Sequence, residues 1–214
     1  MGFDQADFVT ANSEATLDLA RRYGRSDAVL LLNGCDPERF ITESSAAGPI
    51  TVGYVGKIGK RLDLELISAC ASANPDVQFI FAGPILDDGY RRPLRELANV
   101  RLLGDVHYER VPDLLTSFDV GWVPHNVGEG EVGGDVIKTY EYRAAGLPVL
   151  STPVLGAGRR GLEGVSYLPA GEHSEKIRSW AMSGPRVERV VRDLPREVSW
   201  SGKARQILGL LGIE

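Results

Sequence analysis

The sequence predicts an α/β protein built on a doubly wound parallel sheet, on three observations. Short apolar runs begin near residues 50, 77, 100, 119, 147 and 165. Their spacing, roughly 18–28 residues, holds a strand, a helix and two loops, where a hairpin protein turns back much sooner. Between the runs apolar residues recur at helical spacing, and Gly or Pro closes most segments.

Taken in order, Asp7–Thr10 is a short apolar run. It leads to a helix with Leu17, Ala20 and Tyr23 on one face, Ser13 as its cap and Gly24 as its stop. A second run follows at Ala28–Leu32, then the turn Asn33-Gly34. Residues 41–49 (ITESSAAGP) carry no period and read as a hinge. The run Ile50–Val55 opens the main succession. Leu62, Leu66, Ala69 and Ala73 share a helical face that Asn74-Pro75 ends. Val77–Ala82, a helix around Tyr90–Ala98, and Val100–Leu103 come next. Then come a helix over Glu109–Phe118, Asp119–Val123, and the Gly- and acid-rich loop 124–134. Asp135–Ala145 is helical and ends at Gly146, Leu147–Ser151 and Val165–Leu168 are strands, and helical patterns fill much of 173–211. The expected division is a first segment plus hinge over 1–48, an α/β domain over 49–185, and a helical tail over 186–214.

Composition narrows the function. A chain of 214 residues fits one large domain, or a medium domain plus a fragment, and can bury a core without disulfides or metal. The charge of −5, from 24 Lys+Arg and 29 Asp+Glu, argues against nucleic acid as the main partner. No apolar run approaches ~20 residues, so no transmembrane helix is expected. The first residues have neither a basic nor a long apolar region and do not read as a signal peptide. Cys35 and Cys70 lack metal-ligand spacing, and Cys70 reads as a core residue in a reducing compartment.

In such sheets ligands bind beyond the carboxyl ends of the strands, where strand order reverses. Chemistry-bearing residues lie after the strands here. The turn Gly56-Lys57-Ile58-Gly59-Lys60-Arg61 places two glycines and three cations before a helix, a composition suited to a phosphate. A solvated basic turn is the alternative. Neither GxGxxG nor GxxxxGK[ST] is present. Gly133-Gly134-Asp135 runs into a helix on which Lys138 and Glu141 are three apart and share a face. A diphosphate over the first turn and a diol against Glu141 would satisfy those groups, whereas the alternative is a surface ion pair worth about 0.3 kcal/mol. Asp135 reads as the N-cap, since a carboxylate repels an anion. Gly104, Val106, His107 and Tyr108 follow the third strand and can flank a base. His125 follows the strand at 119–123 and can touch a sugar or a phosphate, with an ordinary exposed or structural His as the alternative reading for both histidines.

Six blocks in order carry a resemblance over nearly the whole chain: ADFVTANSE (6–14), LLLNGCDPERF (30–40), VGYVGKIGKRLDLELI (52–67), FIFAGP (79–84), NVRLLGDVHYERVPDLLTSFDVGWVP (99–124) and IKTYEYRAAGLPVLST (137–152). The sequence resembles the donor-binding, Rossmann-like C-terminal half of GT-B glycosyltransferases of group 1, family 4-like. It is most similar to the teichuronic-acid and glucuronosyltransferase-like branch. The resemblance implies a hexosyl or uronosyl transferase of polysaccharide biosynthesis that uses a UDP- or GDP-sugar donor, with no metal or other cofactor.

By position, Glu141 would hold the ribose hydroxyls. Gly56, Lys57, Lys60, Arg61, Gly133, Gly134 and Lys138 would receive the diphosphate, and Gly104–Tyr108 would flank the base. Lys138, Glu141 and Arg61 are the expected catalytic set. Many family members carry a Glu eight positions before the one matching Glu141, whereas this sequence has Gly133 there, with Glu129 and Glu131 in another register. The acceptor, a glycan or a lipid-linked one, would be bound by an N-terminal domain of which almost nothing precedes residue 6. The chain therefore reads as an excised or truncated donor half, incomplete or inactive alone. A cytoplasmic place follows, with room for peripheral membrane association of the full-length protein. A freestanding nucleotide-sugar-binding module and a sugar-nucleotide epimerase fragment are the competing readings, and the absent dinucleotide fingerprint disfavours a dehydrogenase.

Overall fold

The computed structural model describes residues 5–128, 134–155 and 157–213. In chain order, β1 (Thr10–Ala11), α1 (Glu14–Arg22) and β2 (Val29–Leu30) form a small unit whose two strands pair in parallel. Ser13 caps α1 by accepting from the Thr16 amide, and Thr16 returns a bond to the Ser13 amide. Gly24 takes a positive φ just past the helix, as a C-terminal stop requires. Leu17, Ala20, Ala11 and Ala28 make its own small core.

The main body comprises β3 (Thr51–Val55), α2 (Leu64–Ala73), β4 (Gln78–Ala82), α3 (Asp88–Arg95), β5 (Val100–Gly104), α4 (Val111–Thr116), β6 (Val120–Val123), α5 (Ile137–Ala144), β7 (Val149–Ser151), β8 (Val165–Tyr167), α6 (Ala170–Met182) and α7 (Trp200–Leu210). Every pairing between these strands is parallel, and the order across the six-stranded sheet is β5-β4-β3-β6-β7-β8. The α/β class and the doubly wound parallel sheet are therefore as the sequence predicts, and the strand order reverses between β3 and β6.

The two-residue period of the strands builds a core on each face. Val52, Tyr54, Phe79, Phe81, Val120, Trp122 and Leu150 pack beneath α2, α3 and α6. On the other face Val123 and Val149 pack with Val111, Leu115, Tyr140 and Tyr142 of α4 and α5. Two strand glycines admit rings from that second layer. A Cβ on Gly53 would collide with the Phe118 ring, and one on Gly121 with Tyr142.

Three local expectations are corrected. The helix expected over Glu109–Phe118 is a 3-10 turn at Tyr108–Arg110 followed by the six-residue α4. The helix expected from Asp135 begins at Ile137, with Val136 as its N-cap and no side-chain cap bond, so Asp135 does not cap it. Helices fill much of 173–211 as expected, but within the expected helical tail 183–195 form no helix between α6 and the short turn Arg196–Val198. Instead that stretch straps the amino end of the sheet. Arg186 donates to Asp119 (2.9 Å) and to the Gly48 carbonyl, while Arg189 reaches carbonyls at Ile41, Thr42, Leu115, Thr116, Phe118 and Ala145.

Candidate functional site

At the carboxyl ends of β3 and β6 the chain turns twice, and the two turns are knitted together. The Asn126 amide donates to the Arg61 carbonyl (2.8 Å), and its side chain donates to the carbonyls of Lys60 (2.8 Å) and Leu62 (2.9 Å). The Asp63 amide donates to the Pro124 carbonyl, and the Asp63 side chain caps α2 by accepting from Leu66. Thr152, just past β7, anchors the His125 carbonyl at 2.8 Å. The basic turn is thus held against the β6 turn, at the reversal of strand order.

Two adjoining cavities open there, of about 400 and 750 Å3. Lys60, Arg61, His125 and Lys138 line both. The smaller continues past Gly134, Asp135 and Val136; the larger past Tyr54, Gly56, Lys57 and Asp87. Gly56 has φ +147°, and a Cβ there would lie 2.7 Å from the Lys138 ammonium. Only glycine lets the Lys138 side chain cross the β3 turn. The ammonium sits 5.2 Å from the Tyr54 ring centroid, a cation–π contact.

The electrostatics suit an anion. Burial lowers the pKa of Lys138; the Glu141 carboxylate works against this and the Arg61 cation adds to it. Burial also pushes His125 down to about 3, helped by Lys138 and Arg61, so its ring is neutral. Its Nε2 is buried without a hydrogen-bond partner among the described residues. Glu141, itself buried, has its pKa raised by desolvation against the opposing pull of Lys138, a Tyr108 hydrogen bond and Arg39. The Arg39 guanidinium stacks 4.7 Å over the Tyr108 ring. A diphosphate among Lys60, Arg61 and Lys138 would relieve cation repulsion, and a diol would give Glu141 donors.

Gly56, Lys57, Lys60, Arg61, His125, Gly134 and Lys138 are therefore brought to one groove, and Glu141 lies one helical turn beyond Lys138 with Tyr108 beside it. Gly104 and Val106 line neither cavity. The Gly104 carbonyl accepts from the Gly83 amide (2.6 Å), and Val106 packs on the core under α4 and α5. His107 is exposed, faces Glu109 at 3.7 Å, and lies outside the groove. Gly133, with Glu129 and Glu131, lies outside the described residues. Sequence reasoning missed Tyr54, Arg39, Asn126 and Asp87. Arg39 comes from a segment about 100 residues from Glu141 in sequence, and no local period signals such a pairing.

A parallel sheet with a cationic groove at its strand-order reversal defines a Rossmann-like fold with a candidate anion site. The family model described as "Glycosyl transferases group 1" matches residues 49–178, and the chain belongs to that family. Over 98% of its length it is 25% identical to a Bacillus subtilis (strain 168) protein described as a teichuronic acid biosynthesis glycosyltransferase, TuaH, and covers 58% of that protein. Among solved structures it is similar to Anabaena Alr3699/HepE in complex with UDP-glucose (TM-score 0.77, 20% identity, 97% of this chain and 64% of that one). It is also similar to sucrose-phosphate synthase from Thermosynechococcus elongatus (TM-score 0.75, 20% identity, 97% and 58%). These likenesses establish the fold, an α/β sheet shared with GT-B glycosyltransferases. The chain spans about three-fifths of the length of these relatives. Among the described residues no helix is long and apolar enough to cross a membrane.

Proposed function

We propose that this chain is the donor-binding half of a glycosyltransferase, and that its groove takes a nucleoside diphosphate sugar. The observation that carries this is the convergence of Lys60, Arg61, His125 and Lys138 on both cavities, with buried Glu141 one turn along α5. In this reading the three cations hold the diphosphate and Glu141 accepts the ribose hydroxyls. The segment Gly104–Tyr108 flanks the base through Tyr108, while Val106 packs inward and His107 has no part. Neutral His125 offers its free nitrogen to a phosphate oxygen or a sugar hydroxyl.

Catalysis follows from the same charges. As the glycosidic bond breaks, the departing nucleotide gains negative charge, which fixed cations stabilise more than they stabilise the ground state. Lys60, Arg61 and Lys138 serve where another transferase uses a metal ion. Uridine is the favoured base, since a solved relative is named with UDP-glucose; GDP is the comparison. The division 1–48, 49–185 and 186–214 belongs to this proposal. So do a glycan or lipid-linked acceptor held by a further domain, transfer of a hexose or uronic acid, and a cytoplasmic place. Calorimetry with UDP and GDP on the wild type, Glu141→Ala and Lys138→Ala tests it. Each substitution is expected to weaken binding by roughly 1.5–3 kcal/mol, and unchanged affinity in both removes the site.

A further inference from the structure

Beside the groove lies an acid that ought to oppose an anion. Asp135 lines the smaller cavity, three residues before Lys138, and its side chain is 2% exposed. Its carboxylate is held by residues that do not line the groove. One oxygen accepts from the Asn33 amide (2.7 Å) and the Tyr140 hydroxyl (2.9 Å), and the other meets Arg160. The Asp135 carbonyl accepts from the Asn33 side chain at 2.8 Å. Arg160 also donates to the Tyr140 hydroxyl (3.0 Å) and pairs with Glu14 at the start of α1 (2.8 Å). Lys203 of α7 is near enough to feel the Asp135 charge. The result is a chain of alternating charge, Glu14–Arg160–Asp135, from the small N-terminal unit to the start of α5. Burial disfavours the Arg160 cation, yet the hydrogen bond and charge of Asp135 outweigh it and raise its pKa.

We propose that Arg160 is a positioning residue for the anionic donor: it masks the Asp135 charge at the rim of the groove and fastens the first turn of α5, which carries Lys138, to α1. The inference rests on the reading of the groove as a nucleoside diphosphate site. A carboxylate left unpaired in this partly desolvated place would repel a diphosphate but leave an uncharged nucleoside indifferent. That difference separates charge masking from a merely structural role.

The experiment is calorimetry on the full 214-residue chain with UDP and with uridine, at low and high salt. The proteins are the wild type, Arg160→Met, Arg160→Lys, Asp135→Asn and the double variant Arg160→Met/Asp135→Asn. Arg160→Met is expected to weaken UDP by roughly tenfold or more at low salt, and less at high salt, while uridine shifts by under about twofold. Arg160→Lys, which keeps the charge, and the double variant, which removes the acid, are each expected to regain most of the loss. Should Arg160→Met fail to fold, Asp135→Asn alone decides: UDP tightens by about threefold with uridine unmoved. Equal losses for UDP and uridine, or no recovery in the double variant, overturn the inference. Wild-type UDP binding that Glu141→Ala weakens but Arg160→Met does not would leave the donor site standing and remove only the masking role; a wild type that ignores UDP removes both.

Discussion

The two ends of the sheet both surround buried or half-buried cations, and they treat them oppositely. At the amino end, the two terminal nitrogens of Arg189 reach six backbone carbonyls, at the ends of α4 and α5 and in the hinge, and only its Nε is without a partner among the described residues. At the carboxyl end, Lys138 has no hydrogen bond among the described residues and only a ring beneath it. His125 hides a free nitrogen there, and Glu141 is buried with a raised pKa. Helix carboxyl termini carry partial negative charge, so an arginine placed there completes the fold. Groups gathered with few hydrogen-bond partners at the strand-order reversal are what a site for an outside ligand requires. Charge that is already satisfied belongs to stability; charge left waiting belongs to binding.

The sharpest way to break this comparison is Arg189→Met. Four carbonyls at the ends of α4 and α5 and two in the hinge would lose the Arg189 donor, and the tail would lose part of its strap. We expect a loss of roughly 3–5 kcal/mol in unfolding free energy, read by denaturant titration, with UDP affinity of the remaining folded protein unchanged. A small loss, or a selective loss of UDP binding, would mean that the two ends are not divided as described.

Lys138→Met makes the opposite pattern. Its stem keeps the packing against Gly56 and Tyr54, while the ammonium goes. Stability is expected to stay level or rise, since a desolvated cation near Arg61 is removed, and UDP affinity to fall by roughly 1.5–3 kcal/mol. Denaturation and calorimetry on one preparation read both. A variant that unfolds more easily and binds UDP as before would invert the comparison.

How much of this was legible beforehand differs between the ends. Strand positions were, because both faces of each strand are covered and the apolar runs are therefore nearly unbroken: the expected starts near 50, 77, 100, 119, 147 and 165 are found at 51, 78, 100, 120, 149 and 165. The groove residues after β3, β6 and into α5 were legible too, since a parallel sheet sends all such loops to one end. Contacts between distant segments were not. Arg189 with Leu115, Asp135 with Asn33 and Arg39 with Tyr108 join residues 74, 102 and 69 apart, and nothing in local periodicity or composition marks such pairs. Asp135 misled for a specific reason. Asp before a helix usually caps it, but Arg160, Tyr140 and the Asn33 amide offered its carboxylate better partners.

A smaller effect concerns pH. The folded pKa of His125, about 3, lies below the ordinary 6.5. Between those values the unfolded chain binds the proton and the folded chain does not. Stability from this group is therefore full above about pH 6.5 and drains away as pH falls toward 3, at up to about 1.4 kcal/mol per pH unit. The raised pKa of Glu141 acts in the opposite sense, favouring the folded state at lower pH. Comparing wild type with His125→Gln isolates the histidine: the variant should lose less stability between pH 6.5 and pH 4. Parallel curves would mean that the ring is not held neutral, and the picture of an unsatisfied carboxyl end would lose its clearest member.

The smallest expected effect tests where the groove stops. His107 shares a turn with Tyr108, yet its side chain is 74% exposed and meets only the equally exposed Glu109. Such a surface pair contributes at most about 1 kcal/mol and is screened by salt. His107→Ala is therefore expected to change neither unfolding free energy, within about 0.5 kcal/mol, nor UDP affinity, within about twofold. Tyr108→Ala, next to it, removes a neighbour of Glu141 and the platform beneath Arg39, and should weaken UDP by several-fold more. If both substitutions weaken UDP equally, the base lies farther out along this turn than the positions of Tyr108 and Glu141 imply, and the boundary between waiting and solvated charge must be redrawn there.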